Sequence, residues 1–281
     1  LTTSAIVDDA AIASRSVVKV DDIDVVIEGE GPETIVMIHG WPDTHRLWDR
    51  QVDALRTRFR CVRFTLPGFE PRHARQAYSL DEVVGIIGKV VGQTGAGGPV
   101  NLLLHDWGCV FGYQFAMRQP QLVRRVIGVD VGDAGSRRHL QETGTRAKAL
   151  VIGYQLWLAA AWRIGGRTGD WMARSMAGAA GAPGDRACIH SQMGYPYYVQ
   201  WAGARGGYGG AKVFKPQSPM LFIYGKRKPF MFHSSAWAAE LASRPGSGVL
   251  AFDTGHWVMV AQAEAFNAAV AAWLCSGDIA R

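Results

Sequence analysis

Two apolar patterns alternate along the chain, and their order predicts the architecture. Residues 34–38 and 61–66 are short apolar runs of the kind that fill strands buried on both faces. A third run, Asn101-Leu102-Leu103-Leu104-His105, ends on Asp106-Trp107-Gly108. Between the runs, apolar residues recur at helical spacing. Leu47, Trp48, Val52, Leu55 and Phe59 predict a helix over 47–59, and a second helix covers 80–91 with Ser79 as its cap. After Gly108, the positions Val110, Phe111, Tyr113, Phe115 and Met117 carry a helix to the break at Gln119-Pro120, and 125–131 is again a strand. Upstream, 16–20 and 24–28 read as an antiparallel hairpin about the polar turn Asp21-Asp22. Such alternation predicts an α/β fold, a mostly parallel central sheet flanked by helices, with ligands at the carboxyl ends of its strands.

The alternation lapses from 132 to 217. Gly, Ala, Trp and Tyr accumulate there in helical patches broken by Gly165-Gly166 and by glycine-rich stretches at 181–184 and 206–210. So many aromatics argue against a linker and for a helical cap inserted into the sheet domain. Sheet pattern returns at 220–224. It is followed by a helix over 232–243, a strand over 249–252, a loop over 253–256 and a closing helix over 263–274, with Phe266, Val270, Trp273 and Leu274 on one face. The expected division is a first core part at 1–133, a cap at 134–217 and a second core part at 218–281.

This organisation puts Asp106 forward. A strand that turns sharply into a helix lifts the residue at the turn onto the edge of the sheet, as in a nucleophile elbow. An aspartate there would equally serve as a helix N-cap. Two other stretches tip the reading toward chemistry: His39-Gly40-Trp41-Pro42, directly after the 34–38 strand, and Thr254-Gly255-His256-Trp257, just past the last strand.

Composition narrows the classes. The 281 residues, 48% hydrophobic and 19% charged, suit a globular chain with a substantial core. The net charge of +6 comes from scattered arginines rather than a basic block, so no nucleic-acid partner is expected. Cys61, Cys109, Cys188 and Cys275 have no paired spacing, which suggests neither a metal site nor a disulfide framework and fits a reducing, cytoplasmic compartment. Residues 1–16, with Asp8 and Asp9 inside a weakly apolar stretch, make a poor signal peptide. No run reaches the roughly 18 apolar residues of a membrane span.

The order of nucleophile, cap and late histidine resembles the α/β-hydrolase fold superfamily over nearly the whole chain. His105-Asp106-Trp107-Gly108 is similar to the aspartate-nucleophile branch shared by epoxide hydrolases and haloalkane dehalogenases. The resemblance implies that Asp106 attacks an sp³ carbon to give an alkyl-enzyme ester, which needs no base because a carboxylate is already ionised. It also implies that His256 activates the water that hydrolyses the ester. The backbone N–H groups of Trp41 and Trp107 are where the family places its oxyanion hole.

At the orienting acid the chain departs from the common pattern. Relatives usually carry it after the next-to-last strand in a Gly-x-x-Asp setting, where this chain reads Gly225-Lys226-Arg227-Lys228. Some haloalkane dehalogenases place the acid one strand earlier. Counted from Pro120, that position falls on Asp130, with Asp133 as the second candidate. The segment Gly153-Tyr154-Gln155-Leu156-Trp157 is similar to the one carrying the first cap tyrosine of epoxide hydrolases. The second tyrosine comes from Tyr195, Tyr197 and Tyr198, and Tyr198 is preferred as the nearest to the cap's return.

The resemblance therefore implies a cofactor-independent hydrolase, with no metal, that takes a small apolar epoxide and water to a vicinal diol. A haloalkane dehalogenase is the alternative, favoured by Leu104 two residues before the nucleophile and by the placement of Asp130. A fold relative that binds an apolar ligand without turnover is a third. The natural substrate and the oligomeric state, a homodimer among the options, stay open at this level.

Overall fold

The computed structural model describes residues 15–70 and 74–276, so the poor signal peptide read at 1–16 lies almost wholly outside the described residues. Among those residues, eight strands form one sheet: β1 (Arg15–Val20), β2 (Ile23–Glu28), β3 (Glu33–Ile38), β4 (Phe59–Phe64), β5 (Val100–His105), β6 (Val123–Val129), β7 (Met220–Gly225) and β8 (Gly248–Phe252). Their spatial order is β1-β2-β4-β3-β5-β6-β7-β8. The β1-β2 and β2-β4 pairs are antiparallel, and all pairs from β4 to β8 are parallel.

The central strand β5 is buried at every residue, because helices cover both faces of a parallel sheet and leave it no solvent side. On one face Ile38, Leu104 and Phe222 join the apolar side of helix α2 (Leu80–Thr94), through Val83, Val84, Ile87 and Val91. On the other, Ile35, Met37, Leu103 and Ile223 meet α1 (Asp49–Leu55) and the closing helix (Ala263–Cys275) through Val52, Leu55, Phe266 and Val270. Successive residues of a strand point to opposite faces, which is why Leu103 and Leu104 belong to different layers.

Local sequence explains the element ends. Ser79 and Glu82 close a reciprocal capping box, Glu82 N–H to Ser79 Oγ at 3.2 Å and Ser79 N–H to Glu82 Oε2 at 2.7 Å, which starts α2 where the Ser cap predicted it. The helix predicted over 47–59 is shorter. A 3₁₀ turn (His45–Trp48) leads into α1, and Phe59 is the first residue of β4, since its apolar side chain fits a buried strand equally well. The helix predicted from 232 begins only at Ser235, because Ser234 accepts from the N–H of Trp237 and caps α8 (Ser235–Ala242).

Between β6 and β7 the chain is helical: α4 (Arg137–Glu142), α5 (Thr145–Ile164), α6 (Gly166–Ala180) and α7 (Tyr195–Ala202). Gly165, with φ +67°, reverses the chain between α5 and α6, and α5 packs against both α6 and α7. The insertion is seated on the sheet domain by aromatics. Tyr195 meets Phe69 and Tyr78 edge-on at 5.9 and 5.6 Å, and Phe214 stacks on Tyr113 at 3.8 Å. The amide of Gln114, on α3 (Trp107–Arg118), pairs with the backbone of Lys212 in both directions, at 2.6 and 3.1 Å.

Candidate active site

Asp106 occupies the turn between β5 and α3 with φ +53° and ψ −120°, a region that costs an L-residue on the order of 1–3 kcal/mol. Close packing enforces the turn. A Cβ on Gly108 would lie 2.2 Å from the carbonyl oxygen of Ile38, and one on Gly40 would lie 2.3 Å from Asp106 Oδ1. The Asp106 side chain makes no capping bond to α3. Its Oδ1 instead accepts the N–H of Trp41 at 2.7 Å, and the Trp107 N–H beside it helps to hold the same carboxylate below its ordinary value. The donor loop is fixed by His39, whose Nε2 accepts from the Leu66 N–H at 2.9 Å while Nδ1 donates to the Gly40 carbonyl at 2.9 Å. Burial holds the His39 ring neutral, down at about 3, so it serves as a bracket rather than an acid or base.

His256, in the loop after β8, brings Nε2 to 3.6 Å from Asp106 Oδ2. Its Nδ1 donates to Oδ2 of Asp130. Asp130 stands one residue past β6 with φ +70°, a left-handed conformation that Asp tolerates better than most residues. Its other oxygen accepts the N–H of Gly225 at 3.0 Å and the ammonium of Lys228. Asp133, the second candidate for the acid, faces elsewhere. It accepts from the Ser234 N–H at 2.6 Å, the Ser234 hydroxyl at 2.8 Å and the Ser136 hydroxyl at 2.6 Å, and so ties the start of α8 to the loop before α4.

Charges in this cluster sustain one another. Burial would push the Asp106 carboxyl up, but hydrogen bonding and charge from His256, aided by His105 and the Trp107 N–H, hold it below its ordinary value. Burial likewise opposes ionisation of Asp130, and the charges and hydrogen bonds of His256 and Lys228 overcome it. The imidazole of His256 feels burial downward, yet the Asp130 charge and the bonds to both carboxylates raise it to about 9. In the resting site it is therefore an imidazolium between two carboxylates.

Two neighbours had no role assigned to them from the sequence. His105, buried on β5, lies 4.4 Å ring to ring from His256, and its Nε2 is 3.3 Å from the His256 carbonyl. Asp43 is buried and accepts the indole N–H of Trp257 at 2.9 Å, and burial lifts its carboxyl to about 7. The only available signal for Asp43 was its place directly after the His39-Gly40-Trp41-Pro42 stretch.

An aromatic wall from the insertion completes the cluster. Tyr197 stands edge-on to Trp41 at 6.1 Å and to Trp107 at 5.2 Å, and Tyr154 meets Tyr197 edge-on at 6.0 Å. Burial pushes both phenols up, and the charge of Asp106 acts on both in the same direction. Tyr198, the residue preferred from the sequence, turns away and stacks on Trp162 at 4.2 Å. Tyr195 is also turned away, its ring against Phe69 and Tyr78. The structure thus gathers Asp106, His256, Asp130, Trp41, Trp107, Tyr154 and Tyr197. It leaves out Asp133, Tyr195 and Tyr198.

A sheet in this order, with an acidic residue on a strained strand-to-helix turn and a histidine after the last strand, defines an α/β-hydrolase. Sequence comparison agrees: the profile of the Alpha/beta hydrolase family matches residues 35–269, and the chain belongs to that family. A protein of Mycobacterium tuberculosis named probable oxidoreductase EphD is 34% identical over 133 residues, 45% of this chain and 22% of that protein. Epoxide hydrolase 1 of Caenorhabditis elegans is 31% identical over 108 residues, 37% of this chain and 26% of that one. These matches span about a quarter of the length of either relative. Among solved structures, an epoxide hydrolase of Bacillus megaterium in complex with an inhibitor superposes with a TM-score of 0.68 at 19% identity, covering 92% of this chain and 99% of that one. No helix among the described residues is long and apolar enough to cross a membrane.

Proposed function

We propose that the protein is a hydrolase that opens an epoxide to a vicinal diol through an ester on Asp106. The observation that carries the reading is the separation of 3.6 Å between His256 Nε2 and Asp106 Oδ2, with the carboxylate already held by the N–H of Trp41. A hydrolase that used Asp106 only to orient a base would have no need of oxyanion donors on that carboxylate. The names of the C. elegans and B. megaterium relatives point to the same substrate class.

In the first step a carboxylate oxygen of Asp106 attacks an epoxide carbon and the C–O bond breaks toward oxygen. The departing alkoxide takes a proton from Tyr154 or Tyr197, whose hydroxyls stand as donors because burial keeps them protonated. Esterification removes the negative charge of Asp106. One of the two carboxylates that raised His256 is then gone, so the imidazolium gives up its proton, which restores the tyrosinate left by ring opening, and the neutral imidazole becomes a base only when a base is needed. His256 takes a proton from water, the hydroxide adds to the ester carbonyl, and the N–H groups of Trp41 and Trp107 hold the oxyanion. As it collapses the ester C–O bond breaks, and the departing alkoxide takes the proton of the carboxylic acid so formed, leaving the diol, the Asp106 carboxylate and the His256 imidazolium. One oxygen of the regenerated carboxylate comes from water.

Turnover in ¹⁸O-water followed by mass spectrometry of the peptide containing Asp106 is expected to show label in that side chain. Diol formed without label there would overturn the ester route. A second reading, dehalogenation, is favoured by one observation: among the described residues, the buried indole N–H of Trp41 has no hydrogen-bond partner and would suit a leaving halide. Halide release from a panel of bromoalkanes, run beside an epoxide panel, separates the two.

A further inference from the structure

Lys228 stands where the sequence pattern of relatives would put the orienting acid, and its ammonium reaches the acid that this chain carries instead. The Lys228 side chain is 6% exposed and that of Asp130 fully buried. Nζ bonds to Oδ1 of Asp130, beside the Gly225 N–H on the same oxygen, while Oδ2 is left to His256 Nδ1. The ammonium also lies 5.8 Å from the centre of the Phe232 ring. A long, flexible cation confined in this way has exchanged water for one carboxylate.

The reaction gives that exchange a use. To act as a base, His256 has to be neutral, and at that moment the imidazole no longer balances the charge on Asp130. A carboxylate with no exposure and no cation beside it would draw the proton back onto the imidazole. Lys228 supplies the missing positive charge from the side away from His256. We propose that Lys228 is a positioning residue that keeps Asp130 ionised and correctly turned while His256 is neutral, and so lets His256 work as a base near neutral pH. The proposal rests on the ester mechanism above for its role in turnover, but the electrostatic claim stands on the Lys228-Asp130-His256 chain alone.

The groups that face this chain are few. His256 is approached by Asp106 and His105 from the β5 end, by Asp43 from the loop after β3 and by Asp130 from the end of β6. Lys228 is faced by Asp130 and by His233. Among them Lys228 is the ammonium: burial pulls it below its ordinary value, and the charge and hydrogen bond of Asp130 oppose that shift.

The test compares the parent with Lys228→Met, Lys228→Gln and Lys228→Arg. NMR titration of the His256 ring in the free protein, and the pH dependence of ester hydrolysis in a single turnover of an epoxide, are read for each. Loss of the cation is expected to move both midpoints to higher pH by about one unit in the Met and Gln variants, the scale of a nearby partly buried charge. Lys228→Arg is expected to keep both near the parent. Midpoints that stay put, or move down, in the folded Met and Gln variants would overturn the proposal. Failure of both uncharged variants to fold would do so too, by assigning Lys228 to stability. Were no ester to form on Asp106 even in the parent, the ring titration would still decide the role of Lys228 while the mechanism failed separately.

Discussion

Asp130 and His256 lie 126 residues apart in the chain, yet the imidazole Nδ1 of one donates to the carboxylate Oδ2 of the other. This bond fixes which ring nitrogen carries the proton and so turns a bare Nε2 toward Asp106 once the ring is neutral. The carboxylate of Asp133, three residues further on, accepts instead from the Ser136 and Ser234 hydroxyls and the Ser234 N–H.

Different consequences follow for the two carboxylates. Asp130→Asn is expected to slow hydrolysis of the Asp106 ester by roughly 10²–10⁴-fold, since an amide presents the wrong hydrogen-bonding character to Nδ1. Asp133→Asn is expected to lower stability by about 1–3 kcal/mol through the weakened bonds to Ser234 and leave the hydrolysis rate close to the parent. Single-turnover kinetics with quantification of the ester, set beside thermal melts, checks both. The reverse pattern would move the orienting role to Asp133.

The tyrosines divide by the direction they face. Tyr154→Phe and Tyr197→Phe are each expected to slow ring opening by about 10–100-fold, a part of the usual effect of a general acid because the other phenol remains. Tyr198→Phe is expected to behave like the parent, its ring being stacked on Trp162. Rapid-quench measurement of ester formation reads the step directly. A large loss in Tyr198→Phe with none in Tyr197→Phe would refute the assignment.

Asp43 makes a prediction about stability against pH. Its carboxyl rises from 3.8 to about 7 on burial, so between those limits the folded protein holds a proton that the unfolded chain has released. Stability from this group is therefore greatest below about pH 4 and falls as pH rises toward about 7, by up to roughly 4 kcal/mol in all. Asp43→Asn retains an acceptor for the Trp257 indole and cannot ionise. It is expected to melt higher than the parent above pH 7 and to flatten the profile between pH 4 and 7. Parallel melting curves with unchanged spacing across that range would exclude the effect.

Much of this molecule is legible in its sequence. Strand-helix alternation depends on periodicities of two and 3.6 residues that each segment carries by itself, so the parallel sheet and the inserted helices followed from local pattern. Local pattern does not fix an element end where one residue suits two states, as with Phe59 at the start of β4. The elbow was legible because a strained turn leaves its mark in Gly40 and Gly108, positions that admit no Cβ.

The chain by itself determined the order of elements, the acidic residue at the turn and the histidine after the last strand, because these depend on neighbours in sequence. Tertiary structure decided between Tyr197 and Tyr198, which differ by about 100° around a helix whose rotation is set by packing against Phe69 and Tyr78 through Tyr195. It also decided that Lys228 would partner Asp130 rather than solvent. Neither choice could be made locally, because direction and burial of a side chain are settled by what the rest of the fold brings against it.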